Sequence, residues 1–357
     1  MPRRKVGHSE PVVHGEPGTA FSLKNLADHL GLAPATVSLV LNASPVANTI
    51  SAETRRLIFS AARKFNYRPN FFARCLRTRR SFTIGVLVSE VSEGYNATVL
   101  NGIEDHLLQE GYFYFVAGHR FQPDLIDEYS QLFLHRSVDG LIVVSTPWSR
   151  SLNIPVVTVS CHHDVAGVTS IVLDHHRAAE LALKHLVNLG HRRIAFIKGQ
   201  SFVPDTRVRW EAIVEVARRM GLPIRPELVG QIEKNSPSPE LGYTVTKALL
   251  ASEQRFTAIF AFNDISAMGA IRALHESRLR VPQDVSVIGF DDIESAAYQN
   301  PGLTTVRQPL REMGRLAAET VLQLVSQPVG ETTGRRDEIV IRPGLVKRGT
   351  TFAASRG

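Results

Sequence analysis

At 357 residues the chain exceeds what one compact core usually holds, so two or three domains are expected. Hydrophobic residues make up 43%, no apolar run nears the roughly 18 residues of a membrane span, and the two cysteines, Cys75 and Cys161, lack disulfide-framework or zinc spacing. Residues 1–81 carry 13 Lys+Arg against 4 Asp+Glu, a net of +9, while the rest carries 28 against 30, a net of −2, giving the total of +7. A basic first fifth on a near-neutral body predicts a polyanion partner for that fifth alone, in a reducing cytoplasm and without a membrane. Residues 1–20 are basic and Pro/Gly-rich, lack the apolar segment of a secretory signal, and read as a disordered tail.

The first patterned stretch is LADHLGLAPATVSLVLN, residues 26–42. Leu23, Leu26, Ala27 and Leu30 mark one face of a short helix, which Gly31 ends because a tight turn tolerates positive φ there. Pro34 suits the first turn of a second helix, whose Val37, Val40 and Leu41 face the first. A third helix, SAETRRLIFSAARKFNY, opens on Ser51 as N-cap. Two short helices held at a fixed angle, in basic sequence, predict a helix-turn-helix with its second helix in the DNA major groove. The segment YRPNFFARCLRTRRS follows.

From residue 82 the rhythm changes. TIGVLV, YFYFVAG, VDGLIVVS and IPVVTVS alternate with amphipathic helical stretches, and after Asp174 the alternation repeats through RIAFIKG, TAIFAFND and VSVIGFDD. Buried parallel strands read as continuous Val/Ile-rich runs with helices on both faces, which predicts an α/β body of two doubly wound parallel-sheet lobes. Ligands of such sheets bind at the C-terminal strand ends, so two facing lobes form a cleft. The body shows no P-loop, G-x-S-x-G elbow or H-E-x-x-H helix, so no catalysis and no cofactor are expected. His162–His163 and His175–His176 are adjacent pairs whose members point in different directions, and no metal site is expected of them. A transport-type sugar-binding or enzymatic α/β protein would share the body, but it has no use for residues 21–81.

In this order the strings LADHLGLAPATVSLVLN, ISAETRRLI, YRPNFFARCLRTRRSFTIGVLV, GHRRIAFIKG, FNDISAMGAIRAL, VPQDVSVIGFDDIE, PGLTTVRQPLREMG and LVKRGTT resemble the lactose-repressor/galactose-repressor (LacI/GalR) family of bacterial transcription regulators, over residues 21 to about 350. The resemblance implies a small all-α head on a periplasmic-binding-protein-like body whose chain crosses between lobes three times. The domains are then a head at 21–69, a hinge helix and linker at 70–81 and a body at 82–350. The N-lobe takes about 82–175 and 308–338, and the C-lobe about 176–307 and 339–350. The implied function is that of a homodimeric repressor binding a near-palindromic double-stranded operator under control of a small-molecule effector. A carbohydrate or sugar phosphate is the first reading of that effector; a purine, or no effector, is the alternative.

DNA contact is expected at Ser22, Leu23, Pro34, Ala35, Thr36, Ser38, Leu39, Asn42, Ser51, Thr54 and Tyr67. Asn70, Ala73 and Leu76 are expected in a helix that forms on DNA, with Leu76 as a minor-groove wedge. The resemblance assigns the effector to Arg209, Asn263 and Asp291 from the C-lobe, with Tyr95 and Asn96 from the N-lobe. A surface ion pair for Arg209 and a structural cap for Asp291 are the alternatives. The chain departs from the family's pattern at several places. SEVSEGYNA keeps an aromatic only at Tyr95, STPWSRSLN is too short for the usual helix, and residues 235–240 hold no sugar-stacking ring. The polar cap and arginine of the reading helix are replaced by Ala33 and Leu39, so apolar contact with thymine methyls is expected to outweigh bidentate hydrogen bonds.

Overall fold

A computed structural model describes residues 21–42, 45–67, 75, 78, 80–91, 94–233, 238–252, 254–327 and 337–354. The chain divides into two compact units, 1–80 and 81–357.

The head is built from α1 (Leu23–Leu30), α2 (Pro34–Leu41) and α3 (Ala52–Lys64). Ser22 caps α1 by accepting from Asn25 N–H, and Gly31 closes it in the left-handed region at φ 62°. Ser51 caps α3 by accepting from Thr54 N–H at 3.1 Å. Between them α2 starts on Pro34 but has only Ala33 at its N-cap, with no side-chain bond to its free N–H groups. Leu26, Ala27, Val37, Val40 and Ile58 form the buried centre, and Phe21 stacks on Phe65 with ring centroids 4.5 Å apart.

In the body, β1 (Thr83–Val88), β2 (Phe113–Gly118), β3 (Gly140–Val144), β4 (Val156–Val159), β5 (Val168–Leu173) and β11 (Asp337–Ile341) form one sheet. Its order is β11-β5-β4-β3-β1-β2, with every pair parallel. The second sheet has the order β12-β10-β9-β8-β6-β7. It comprises β6 (Ile194–Lys198), β7 (Val229–Gln231), β8 (Ala258–Ala261), β9 (Ser286–Asp291), β10 (Thr304–Arg307) and β12 (Gly344–Val346), of which β12 alone runs antiparallel to its neighbour. Strands β1, β3, β4, β5, β8 and β9 are buried at every residue, as expected for sheets covered on both faces. The 145–155 connection contains no helix, in line with its shortness.

Each lobe has one helix crossing at backbone contact. In the N-lobe α4 (Tyr95–Gln109) meets α11 (Leu310–Ser326). A Cβ on Gly102 would stand 1.9 Å from the Arg311 carbonyl oxygen, and one on Gly314 2.0 Å from that of Val99. In the C-lobe α8 (Pro239–Ala251) meets α9 (Asp264–Glu276) in the same way, through Gly242 and Gly269. Only glycine permits such an approach.

The chain crosses between lobes after Leu173, after Arg307 and after Ile341. The last crossing lies three residues beyond the expected 338/339 boundary. Asp337–Ile341 pairs in parallel with Thr169–Leu173, and that ladder keeps all five residues in the N-lobe sheet.

Candidate functional site

The two sheets point their C-terminal strand ends at one cleft, enclosing about 900 Å³ with its open mouth counted. The C-lobe wall is charged. Arg209 lies in α7 (Pro204–Arg219) and is 5% exposed, which excludes a surface ion pair. Its Nη1 donates to the Phe262 carbonyl at 2.7 Å. Its guanidinium carbon sits 3.8 Å from the Phe290 ring centroid and 4.5 Å from that of Phe262. Asp205, one turn earlier, places Oδ2 3.7 Å from Arg209 Nη2. Burial pushes the Asp205 carboxyl up, but nearby His175, Arg209 and His162 outweigh it and hold the group at about 2.

Asp291 ends β9 with φ 112°, followed by Asp292 at 59°, an uncommon pair for residues other than glycine. The expected helix cap within GFDD is not found. The next short helix has Ile293 at its N-cap with no side-chain bond. Asp292 instead accepts from Arg307 and Arg348, both at 2.6 Å. Asp291 is free of that duty and receives only Gln308 Nε2, at 2.6 Å. Burial pushes its carboxyl up to about 7, against the pull of Arg209 and Gln308. Asn263 lines the cleft, but its Oδ1 caps α9 by accepting from Ser266 N–H at 2.9 Å, leaving the other end of the amide for a ligand.

The N-lobe wall is neutral apart from Glu90. Tyr95 and Asn96 open α4, and both line the cleft. The Tyr95 hydroxyl hydrogen-bonds to Ser160. Asn96 Nδ2 donates to Ser89 Oγ and the Glu90 carbonyl, each at 3.0 Å, while its buried Oδ1 has no partner. Thus the structure brings together all five residues expected around a ligand.

Reading the sequence missed Asp205, Gln308 and the aromatic Phe121, which lines the cleft from the loop after β2. Asp205 had a signal, since it precedes Arg209 by four residues and therefore shares its helix face. Phe121 and Gln308 had none, because each reaches the site through a loop or a crossover. Also unforeseen is that one member of each histidine pair, His162 and His175, converges on Asp205.

In the head, Pro34, Ala35, Ser22 and Ser51 are exposed, and Thr36, Ser38 and Thr54 half so. Leu39, expected on the free face, is half-buried against the head core, as are Leu23 and Tyr67. Five polar candidates are already engaged: Asn42 Nδ2 donates to the Ser38 carbonyl at 2.8 Å and to Ser38 Oγ at 3.2 Å, Ser51 shares a hydrogen with Thr54, and Ser22 Oγ bonds to Asn25. Asn70, Ala73 and Leu76 lie outside the described residues. Among the described residues, no helix is long and apolar enough to cross a membrane.

Known proteins repeat both halves of this arrangement. A family model described as "Bacterial regulatory proteins, lacI family" matches residues 22–70, and one described as "Periplasmic binding protein-like domain" matches residues 183–351. The "HTH-type transcriptional repressor PurR" of Haemophilus influenzae is 31% identical over 338 residues, 92% of this chain and 97% of that protein. The lac repressor dimer bound to operator and the anti-inducer ONPF superposes with a TM-score of 0.78 at 28% identity, covering 93% of this chain and 99% of that one. The transcriptional regulator CelR in complex with cellobiose gives 0.68 at 26% identity, covering 92% and 99%. A helix-turn-helix head joined to a two-lobed body, with end-to-end similarity to such a repressor, leads to one conclusion: this chain belongs to the lacI family of bacterial regulatory proteins.

Proposed function

We propose that the chain is a cytoplasmic repressor whose head binds a near-palindromic operator as half of a homodimer, and whose cleft binds a neutral polar effector. The observation that carries the effector reading is the convergence of Arg209, Asp291 and Asn263 with Tyr95 and Asn96 at facing strand ends. A fixed guanidinium fork, a carboxylate acceptor and two amides suit a ligand with several hydroxyl or ring N–H groups. Binding, not catalysis, is the work of such a site.

Charge narrows the class. The cleft lining holds Glu90, Asp205 and Asp291 against Arg209 alone, and Arg209 is already committed to the Phe262 carbonyl and Asp205. A phosphate would meet more negative than positive charge, which favours the free carbohydrate over its phosphate. Phe121 supplies an aromatic face on the N-lobe side, so a purine-type ring is the second reading.

Regulation follows from lobe geometry. A ligand that prefers one closure of the cleft shifts the population toward it, and DNA affinity changes by that differential affinity alone. A tenfold change needs about 1.4 kcal/mol of preference. The test is a thermal-shift screen of the full chain against neutral mono- and disaccharides, sugar phosphates and purines, repeated with Arg209→Ala and Asp291→Ala. A hit lost in both folded variants supports the assignment; a hit retained unchanged in both refutes it.

A further inference from the structure

Behind the cleft, sharing only Asp205 with its lining, lies a cluster whose two histidines the effector reading does not use. His162 follows β4 in the N-lobe, His175 opens α6 (His175–Asn188) at the first crossing between lobes, and Asp205 sits in the first turn of α7 in the C-lobe. His162 Nε2 is 3.8 Å from Asp205 Oδ1, and His175 Nε2 is 3.4 Å from Asp205 Oδ2. All three donor atoms lie within 4.8 Å of one another. The side chains are 20%, 2% and 5% exposed respectively.

Two facts make this more than a chance meeting. First, of the four atoms in these two contacts, three are buried without a hydrogen bond: His162 Nε2, His175 Nε2 and Asp205 Oδ1. Buried polar atoms ordinarily find partners, so three such donor atoms converging at one spot suit a ligand that all three can reach. Second, the partner histidines are occupied elsewhere. His163 Nε2 bonds to Ser170 at 2.9 Å, and exposed His176 faces Glu215 at 3.6 Å.

We propose that His162, His175 and Asp205 form a site for a divalent transition ion of the Zn²⁺ class, tying the N-lobe to the C-lobe. Two imidazole nitrogens and one carboxylate are a standard donor set for such an ion. With metal–ligand arms of about 2.0–2.1 Å, tetrahedral donors stand roughly 3.3–3.4 Å apart, so the two contacts, made to different oxygens of Asp205, contract by about 0.5 Å or less and the 4.8 Å spread of the donors by up to about 1.5 Å. Glu338 Oε1 lies 3.5 Å from His162 Nδ1, where a carboxylate orients a ligating imidazole and fixes its tautomer. The stack of the His175 ring on Phe290, with centroids 6.4 Å apart, holds the second imidazole. A pair of carboxylates, Asp205 and Glu338, offsets the ion's charge, while Arg209 Nη2 stands 3.7 Å from Asp205 Oδ2.

The test is titration of chelator-stripped full-length protein with Zn²⁺ alone, in competition with a chromophoric chelator, followed by Co²⁺ to read coordination from its visible absorption. One equivalent per chain is expected, with tetrahedral-type Co²⁺ bands and a rise in Tm on adding Zn²⁺. His175→Ala removes a nearly buried ring and threatens folding, so His162→Ala, nearer the surface, is the decisive variant. It is expected to abolish the Tm rise and lower affinity at least 100-fold, whereas Glu338→Gln lowers it about 10- to 100-fold. No stoichiometric binding overturns the proposal. So does binding of the same affinity in His162→Ala, which places the ion at histidines elsewhere in the chain.

Discussion

The two walls of the cleft are built differently on similar scaffolds. Both lobes are six-stranded sheets with a glycine-to-backbone helix crossing beside them. The C-lobe lines the cleft with Arg209, Asp205 and Asp291, each at most 5% exposed. The N-lobe wall offers Tyr95, Asn96, Phe121 and serine hydroxyls. Buried charges in a low-dielectric setting bind strongly but must be fixed in place, whereas neutral groups fit shape at little electrostatic cost. Under the proposed function, this difference assigns affinity to the C-lobe, and closure and selectivity to the N-lobe.

The shared scaffold gives the largest expected effects. Gly314→Val and Gly269→Val each drive a side chain into a facing carbonyl, and each is expected to destabilise the body by about 3 kcal/mol or more in urea denaturation. A loss in one lobe only would break the equivalence of the two crossings. Next, Arg209→Ala leaves Asp205 buried without its guanidinium. Removing one partner of a buried pair costs about 3–5 kcal/mol, so both stability and effector affinity fall, the latter by more than 100-fold in calorimetry.

Asp291 titrates at about 7 because burial raises it, and this predicts a pH effect of known sign. The folded state holds the proton more tightly than the unfolded chain, so the stability due to this group is full below about pH 4 and is lost as pH rises through 7. Asp291→Asn is therefore expected to raise Tm at pH 8 and leave it nearly unchanged at pH 4. For a ligand that donates to the carboxylate, wild-type affinity rises from pH 6 to pH 8, and in Asp291→Asn it stays flat. The smallest effect belongs to the N-lobe: Tyr95→Phe deletes one hydroxyl and its bond to Ser160, costing about 1 kcal/mol of stability in denaturation, with ligand affinity falling far less than in Arg209→Ala. A loss as large as that of Arg209→Ala would reverse the proposed division of labour between the walls.

Local patterns in the sequence carried most of the fold. Gly31, Pro34 and Ser51 punctuated the head, and continuous runs such as TIGVLV marked buried parallel strands. What escaped depended on long-range geometry. The cap weighed for Asp291 is absent because the next helix takes Ile293 as its N-cap, and Asp292 pairs with Arg348, 56 residues on. Leu39 seemed free because helical spacing shows which face a residue occupies but not how far its side chain folds back onto the core. Adjacent histidines point in different directions along a chain. One from each pair meeting across the lobes is visible only in three dimensions.

The most direct measurement is the operator affinity of the full chain with and without each neutral sugar and purine, on DNA fragments selected by the protein itself, in wild type and Arg209→Ala. Selected sites are expected to have inverted symmetry, and at least one compound to change wild-type affinity tenfold or more while leaving Arg209→Ala unaffected. Sites without two-fold symmetry, no compound that changes affinity, or an equal change in both proteins would contradict the proposed function.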